Sequence, residues 1–459
     1  MHNKRSAAVR RFLQVVGALL VLAVLAVAGV IAWEWRGEIA ATEPPSANAF
    51  DRTVVARGAQ LALMGDCNSC HTRADGPAYA GGRPVPTPFG TLFSTNITPD
   101  PDTGIGRWSQ AAFVRAMREG VDRRGRHLYP AFPYDYFTRA SDEDLAALYA
   151  YFMTRTPVRA PDVQNALRFP FNMRVLLAGW KALFLRPGPM QLPKDSGPRE
   201  RGAYLAEAIA HCGACHTPRN LFGATERSRP YAGGEAEGWL APALDASAPA
   251  PVPWTADRIF TYLRQGAEKL HGAAAGPMAP VVHNLAQVPE QDVRAIAAYV
   301  ASFGRVTPER EQKADQLVAE AEHNPVPAAS SDADATGARI YAGACAECHD
   351  GAGLSSSSRA LPLRLSTAVH APDARNLLHF ILKGLYPGEG ESGPFMPSFA
   401  NVLTDQQVVE LARYLRATFG NEKPWSNLDK TLREVKATAA PRAVAANADK
   451  GQVAPRSTQ

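Results

Sequence analysis

Cys67-Asn68-Ser69-Cys70-His71 places two thiols and an imidazole within five consecutive residues, and the chain repeats the arrangement twice more. Cys212-Gly213-Ala214-Cys215-His216 and Cys345-Ala346-Glu347-Cys348-His349 are the other copies, and together the three use all 6 cysteines of the 459 residues. C-x-x-C-H is the attachment signature of c-type haem. The thiols add across the haem vinyl groups as thioethers, and the adjacent imidazole ligates the iron. A structural zinc would need about four ligands, commonly from paired Cys-x-x-Cys knuckles, and no copy has a second pair. A thioredoxin-like redox site gives no reason for a histidine after every second cysteine. Three covalently bound haem c groups are therefore expected, with His71, His216 and His349 as proximal ligands.

An electron-transfer haem commonly takes a second axial ligand, often a methionine thioether, which raises its potential. Register between the repeats locates it. A helical run in each copy ends at a glycine, at Gly120, Gly266 and Gly384, and twelve residues later stand Met278 and Met396 in Gly-Pro-Met-Ala-Pro and Gly-Pro-Phe-Met-Pro loops. These two are the expected sixth ligands of the second and third haems. The first copy has Phe132 at that place, and Trp108 precedes Phe132 by the same 24 residues that separate Trp254 from Met278. Phenylalanine offers iron no lone pair. His127, five residues upstream, is the one chemical substitute, and would give bis-His iron of lower potential. The alternative is that His127 bonds a propionate or loop carbonyl and leaves the first iron five-coordinate. Met117 aligns with Leu263 and Ile381 and reads as core, as does Met64. His211, His271, His283, His323, His370 and His379 lack motif context and read as surface or outer-shell residues.

The elements that position these groups are mostly helical. Residues 1–36 read as a membrane anchor: Val15 to Trp33 carries no charge, and nineteen residues at 1.5 Å each span roughly the 30 Å hydrocarbon core. Lys4, Arg5, Arg10 and Arg11 precede it, which keeps the N-terminus cytoplasmic and the remainder outside. A cleaved signal peptide is the competing reading, but its apolar region is normally shorter. Residues 37–50 form a linker. Three haem domains then span 50–157, 196–304 and 332–421. Each opens with Arg57-Gly58, Arg201-Gly202 or Thr336-Gly337 and closes with an amphipathic helix, at 142–152, 290–300 and 405–415. Residues 158–195 link the first two and carry an amphipathic helix, RVLLAGWKALFL at 174–185, with Arg174 and Lys181 on one face. At twelve residues it is too short to span a bilayer; it either packs against protein or lies in the membrane interface. Residues 308–334 read as a charged linker, and 427–459 as a disordered tail.

The chain resembles the three-haem, membrane-bound cytochrome c subunits of periplasmic alcohol, gluconate and aldehyde dehydrogenases. The likeness covers about residues 50–425 and rests on TPFGTLFSTNITPDPDTGIGRWS (87–109), HLYPAFPYDYF (127–137), FPFNMRVLLAGW (169–180), CHTPRN (215–220) and GPMAPVV (276–282). It implies a mainly α fold of three tandem class I-like cytochrome c domains behind one N-terminal transmembrane helix. It also implies a haem relay in the inner membrane, its domains facing the periplasm, from a molybdopterin, quinoprotein or flavoprotein dehydrogenase to quinone or a terminal oxidase. HLYPAFPY, with Phe132 in place of methionine, is more similar to the branch linked to molybdenum hydroxylases. The net charge of +5 owes four to the basic residues before the anchor, so nothing favours nucleic acid. The chain has no dinucleotide motif or further metal cluster, so a non-catalytic electron-transfer subunit is expected. Two alternatives remain: an open first haem that binds peroxide or gas, and a subunit of a terminal oxidase.

Overall fold

The computed structural model describes residues 2–191, 197–323, 335–350, 362–387, 393–420 and 423–439. Helix α1 (His2–Trp33) contains, from Arg10 to Trp33, the one stretch among the described residues long and apolar enough to cross a membrane, with a mean hydropathy of 3.0. The segment after it, a linker by composition, is fastened to the first unit. Arg36 pairs with Glu119 at 2.7 Å, Arg115 donates to the Gly37 carbonyl at 2.7 Å, and Ile39 N–H donates to Arg123 O at 2.9 Å.

The three repeated stretches fold into three helical units. The first comprises α2 (Arg52–Met64), α3 (Cys67–His71), α4 (Gln110–Glu119), α5 (Tyr134–Phe137) and α6 (Asp142–Met153). Strands β1 (Pro84–Thr87) and β2 (Gly90–Phe93) form an antiparallel hairpin with Val85 opposite Leu92, extended by β3 (Ala166–Leu167). After the interdomain helix α7 (Leu176–Phe184), the second unit repeats the plan. It comprises α8 (Pro198–Tyr204), α9 (Gly213–His216), α10 (Ala256–Gln265), α11 (Met278–Leu285) and α12 (Glu290–Ala301), with hairpins β4 (Gly234–Ala236)/β5 (Trp239–Ala241) and β6 (Ala267–Glu268)/β7 (Gly272–Ala273). The third follows helix α13 (Pro308–His323). It comprises α14 (Ala335–Ala344), α15 (Ala346–His349), α16 (Thr367–His370), α17 (Arg375–Lys383), α18 (Asp405–Phe419) and α19 (Leu428–Ala439).

The opening glycine of each copy has a packing reason. α2 crosses α6 at Gly58, where a methyl group would overlap the Ala147 carbonyl; Gly202 meets the Ala295 carbonyl of α12 in the same way, and Gly337 meets α18 at Glu410 and Tyr414. The arginine before it reaches the closing helix: Arg57 bonds Asp144 at 3.0 Å and Arg201 bonds Asp292 at 3.1 Å. The closing helices start where polar first turns placed them. Ser141 accepts from Asp144 N–H, and Thr404 with Gln407 forms a complete capping box.

Units one and two share a single core, in which Leu61 and Leu148 meet Tyr204, Leu205 and Ile296. The third unit has its own, built on Leu378, Val408 and Leu415. Two expectations need correction. The 308–334 linker contains α13, whose Ala314 is buried with Val252 of the second unit and Leu365 of the third. The start of the supposed disordered tail, 427–459, is helix α19. Leu428, Leu432 and Val435 recur at helical spacing and bury against the third core, a stripe that the Lys- and Arg-rich sequence between them hides. Residues 440–459 lie outside the described residues.

Candidate haem-binding sites

The first attachment site is built by a sharp turn. Gly65 caps α2, and Asp66, at φ +50°, reverses the chain so that α3 carries Cys67, Cys70 and His71 onto the wall of a cavity. The β1–β2 hairpin returns Thr95 to His71, and the ring Nδ1 donates to the Thr95 carbonyl at 2.7 Å. A carbonyl can only accept, so Nδ1 holds the proton and Nε2 keeps its lone pair for iron. The second site repeats this. His216 Nδ1 donates to Pro242 O at 2.9 Å, beyond the β4–β5 hairpin. Desolvation holds both imidazoles below their ordinary pKa, hence neutral and fit to ligate. All six cysteines are free of disulfides, and no cluster of three or more His, Cys, Asp or Glu side chains suited to a metal ion occurs among the described residues. The residues present fit covalently attached haem.

Sequence reasoning missed the groups that fix these histidines. Tyr79 and Tyr231 both sit at positive φ, 64° and 59°, and donate their N–H to Thr72 and Thr217 Oγ1 at 3.0 and 3.1 Å. Gly81 and Gly233 then donate to the His71 and His216 carbonyls at 2.7 and 2.8 Å. The signal was present: Tyr-Ala-Gly-Gly occurs at 79–82 and again at 231–234. In the third copy Tyr341 hydroxyl donates to Asp350, the residue after His349.

On the opposite side, α4, α10 and α17 do end at Gly120, Gly266 and Gly384, with φ of 59°, 71° and 70°. Leu128 N–H donates to Gly120 O at 2.7 Å and Ala274 N–H donates to Gly266 O at 2.8 Å, the same eight-residue interval. Phe132 and Met278, each four residues on, therefore hold equivalent positions. Phe132 lines the cavity with Cys67, Cys70 and His71. Met278 heads α11 and is partly buried against the core shared by units one and two. The third loop closes differently, because Met396 itself pairs with Leu385 through two 2.8 Å hydrogen bonds. Met117 is buried in α4, matching buried Leu263 and Ile381, and Met64 is core.

His127 lies against the interdomain helix α7. It is absent from the cavity wall, and its Nδ1 lies 2.9 Å from Lys181 Nζ, which also donates to Gly120 O at 2.8 Å. Burial and the Lys181 charge push His127 down to about 4, and burial lowers Lys181 to about 7. His127 is held in a clasp with Lys181 of α7. Replacing His127 with Ala is expected to leave the first-haem EPR signal unchanged; loss or shift of that signal would restore the ligand reading.

Among the other histidines, His283 is exposed and three are buried in the protein. His271 is buried, stacked on Trp254 with centroids 3.5 Å apart, and bonded to Glu268 at 2.7 Å and Val252 O at 3.0 Å. His379 stacks on Trp239 at 4.2 Å and bonds Gly238 O at 3.0 Å, which with the Asn376–Leu240 hydrogen bonds docks the third unit on the β4–β5 hairpin. His370 is buried as well. His211, directly before the second motif, crosses to the first, its Nε2 bonding Gly65 O at 3.2 Å. For His211 and His379 the sequence showed no role because their carbonyl partners, Gly65 and Gly238, lie far along the chain.

The cavity, about 2530 Å³, exceeds a usual small-ligand pocket of roughly 300–1,000 Å³. Its walls include Cys67, Cys70 and His71 of the first motif and Cys215 of the second. Helical units that carry C-x-x-C-H on a short helix, the first two with the histidine oriented from a hairpin, define a c-type cytochrome. Family models agree: residues 55–156 match "Cytochrome c" and residues 332–415 match "Cytochrome C oxidase, cbb3-type, subunit III". The fructose dehydrogenase cytochrome subunit of Gluconobacter japonicus is 35% identical over 421 residues, covering 86% of this chain and 85% of that one. The cytochrome c subunit of the quinone alcohol dehydrogenase of Gluconacetobacter polyoxogenes is 35% identical over 412 residues, 85% of this chain and 86% of that one. A nicotinate dehydrogenase subunit of Pseudomonas putida is 47% identical over 408 residues, 88% of this chain, but the chain spans only 33% of that longer protein. The chain belongs to the family of cytochrome c subunits of dehydrogenases, carries covalently bound haem c and serves electron transfer.

Proposed function

We propose that the chain holds three haem c groups and relays electrons from a periplasmic dehydrogenase partner to quinone or a terminal oxidase, anchored in the inner membrane by α1. One observation carries the reading: Cys70 and Cys215 line one cavity, and the two attachment segments are bonded directly through His211 and Gly65. The third unit docks on the hairpin that leads to Pro242, the partner of His216. The three attachment sites thus belong to units in unbroken contact, as stepwise transfer requires. Bound haem supplies the one-electron carrier. The chain supplies thioether anchors at Cys67, Cys70, Cys212, Cys215, Cys345 and Cys348, proximal imidazoles at His71, His216 and His349, and distal thioethers at Met278 and Met396.

Among molybdopterin, quinoprotein and flavoprotein partners, the 47% identity to a nicotinate dehydrogenase subunit favours a hydroxylase acting on an N-heterocycle. Phe132 in the cavity wall supports a second reading, in which the first iron is open to carbon monoxide or peroxide. The match to an oxidase subunit covers residues 332–415 alone, whereas the full-length likenesses are to dehydrogenase subunits. Purification of the tagged chain from gently solubilised membranes tests the relay. A dehydrogenase is expected to co-purify, and its substrate to reduce the haem absorbance without added mediator. A cytochrome isolated alone, reducible only by dithionite, would contradict it.

A further inference from the structure

The β4–β5 hairpin of the second unit reaches the segments that carry both expected ligands of its haem. Just past β5, Pro242 O holds the proximal His216 through the 2.9 Å bond from Nδ1. Within the hairpin, buried Trp239 lays its indole against the backbone of Gly276, two residues before Met278. A methyl group at 276 would overlap the ring, and the φ of +54° there also favours glycine. The first unit has no such pair. Three residues before the carbonyl that holds its proximal histidine stands Leu92, and ten residues after its helix-ending glycine stands Pro130.

The same hairpin is where the third unit lands. His379 of α17 stacks on Trp239 with ring planes 10° apart, Phe380 meets the indole edge-on at 5.7 Å, and Lys383 Nζ lies 5.5 Å from the ring centre. Asn376 makes two hydrogen bonds of 2.9 Å to Leu240 of β5, and Arg375 pairs with Glu235 of β4 at 2.7 Å. Trp239 therefore touches the loop that leads to Met278 and a helix of the third unit at once. We propose that Trp239 is a positioning residue through which docking of α17 holds the Met278 loop, so that axial ligation of the second haem depends on the third unit. Groups behind a ligand fix its orientation and tune the metal, and a large, rigid indole gives the loop a firm wall. The proposal rests on the reading of Met278 as the distal thioether. It makes the ligand set of one haem depend on the unit that carries another.

The test uses the full haem-loaded chain, oxidised for EPR and reduced for carbon monoxide binding. Met278→Leu identifies the second-haem His–Met signal as the one it abolishes, and Met396→Leu does the same for the third. Asn376→Leu combined with His379→Leu then loosens the docking from the third unit alone, and Trp239→Leu removes the indole. Both are expected to lower the second-haem signal several-fold and to let the reduced second haem bind carbon monoxide, with the third-haem signal preserved. Trp239→Phe, which keeps a ring, is expected to retain most of the second-haem signal. An unchanged second-haem signal in both the double variant and Trp239→Leu would overturn the proposal while leaving Met278 as a ligand. A change in Trp239→Leu with none in the double variant would overturn the part assigned to α17. No change in Met278→Leu would remove the ligand reading, and the proposal with it. If Trp239→Leu takes up no haem, the double variant, whose second unit is unaltered, decides alone.

Discussion

Phe132→Met is expected to give the first haem a thioether ligand and to raise its potential by on the order of 100 mV, a modest share of the roughly 0.8 V over which axial ligation tunes haem. The expectation follows from loop register. Leu128 and Ala274 make the same hydrogen bond to the helix-ending glycine, and the residue four further on is Phe132 in one unit and Met278 in the other. Phe132 lines the cavity beside Cys67, Cys70 and His71 and packs at a tilt against Phe137, with centroids 5.4 Å apart. Met is slimmer and more flexible than Phe, so the swap removes ring contacts but forces nothing apart. Carbon monoxide binding to the reduced protein and EPR of the oxidised protein read the result. The first haem should lose carbon monoxide reactivity and acquire the His–Met signature, while the other haems stay unchanged. An unaltered first haem would show that equal loop register does not place residue 132 over the iron.

Gly202→Ala carries the largest structural effect. A methyl group at 202 would overlap the Ala295 carbonyl, a backbone atom that cannot rotate away, and would crowd Tyr299 Cβ at 3.0 Å. α8 and α12 would have to separate, straining the Arg201–Asp292 pair and the core shared with the first unit. Overpacking of this kind costs about 3 kcal/mol or more. Denaturant unfolding followed by the near-UV and Soret signals should show a large fall in midpoint for the joined first and second units, with the third unit's transition preserved. Gly343→Ala is the control. It lies in α14 with open space around it, and there alanine should stabilise by roughly 0.5–1 kcal/mol. Equal effects from the two substitutions would contradict the close-crossing explanation.

What could be read from the sequence was local. Each attachment motif is five consecutive residues, and helix ends at glycine are written in one place, so both were legible. Register carried the comparison of Phe132 with Met278, because the first two copies close their loops with the same bond. It could not show that Met396 closes the third loop with its own backbone. Nor could it show the partners of His71 and His216, since Thr95 and Pro242 act through carbonyls, which every residue possesses. His127 illustrates the limit well. Its type and position suited a ligand, and only tertiary packing brings it to Lys181, 54 residues away. The amphipathic helix at 174–185 was visible as Arg174 and Lys181 on one face; that this is the inward face is a fact of tertiary packing.

Three covalent haems in contacting units are expected on the one chain. Intact-mass measurement of the purified protein, combined with haem quantitation after alkaline pyridine treatment, addresses this directly. The expected result is a polypeptide heavier by three haem groups, with one haem lost in each of the variants Cys70→Ala, Cys215→Ala and Cys348→Ala. A chain carrying two haems, with the Cys215→Ala variant unchanged in mass apart from the substitution, would contradict it.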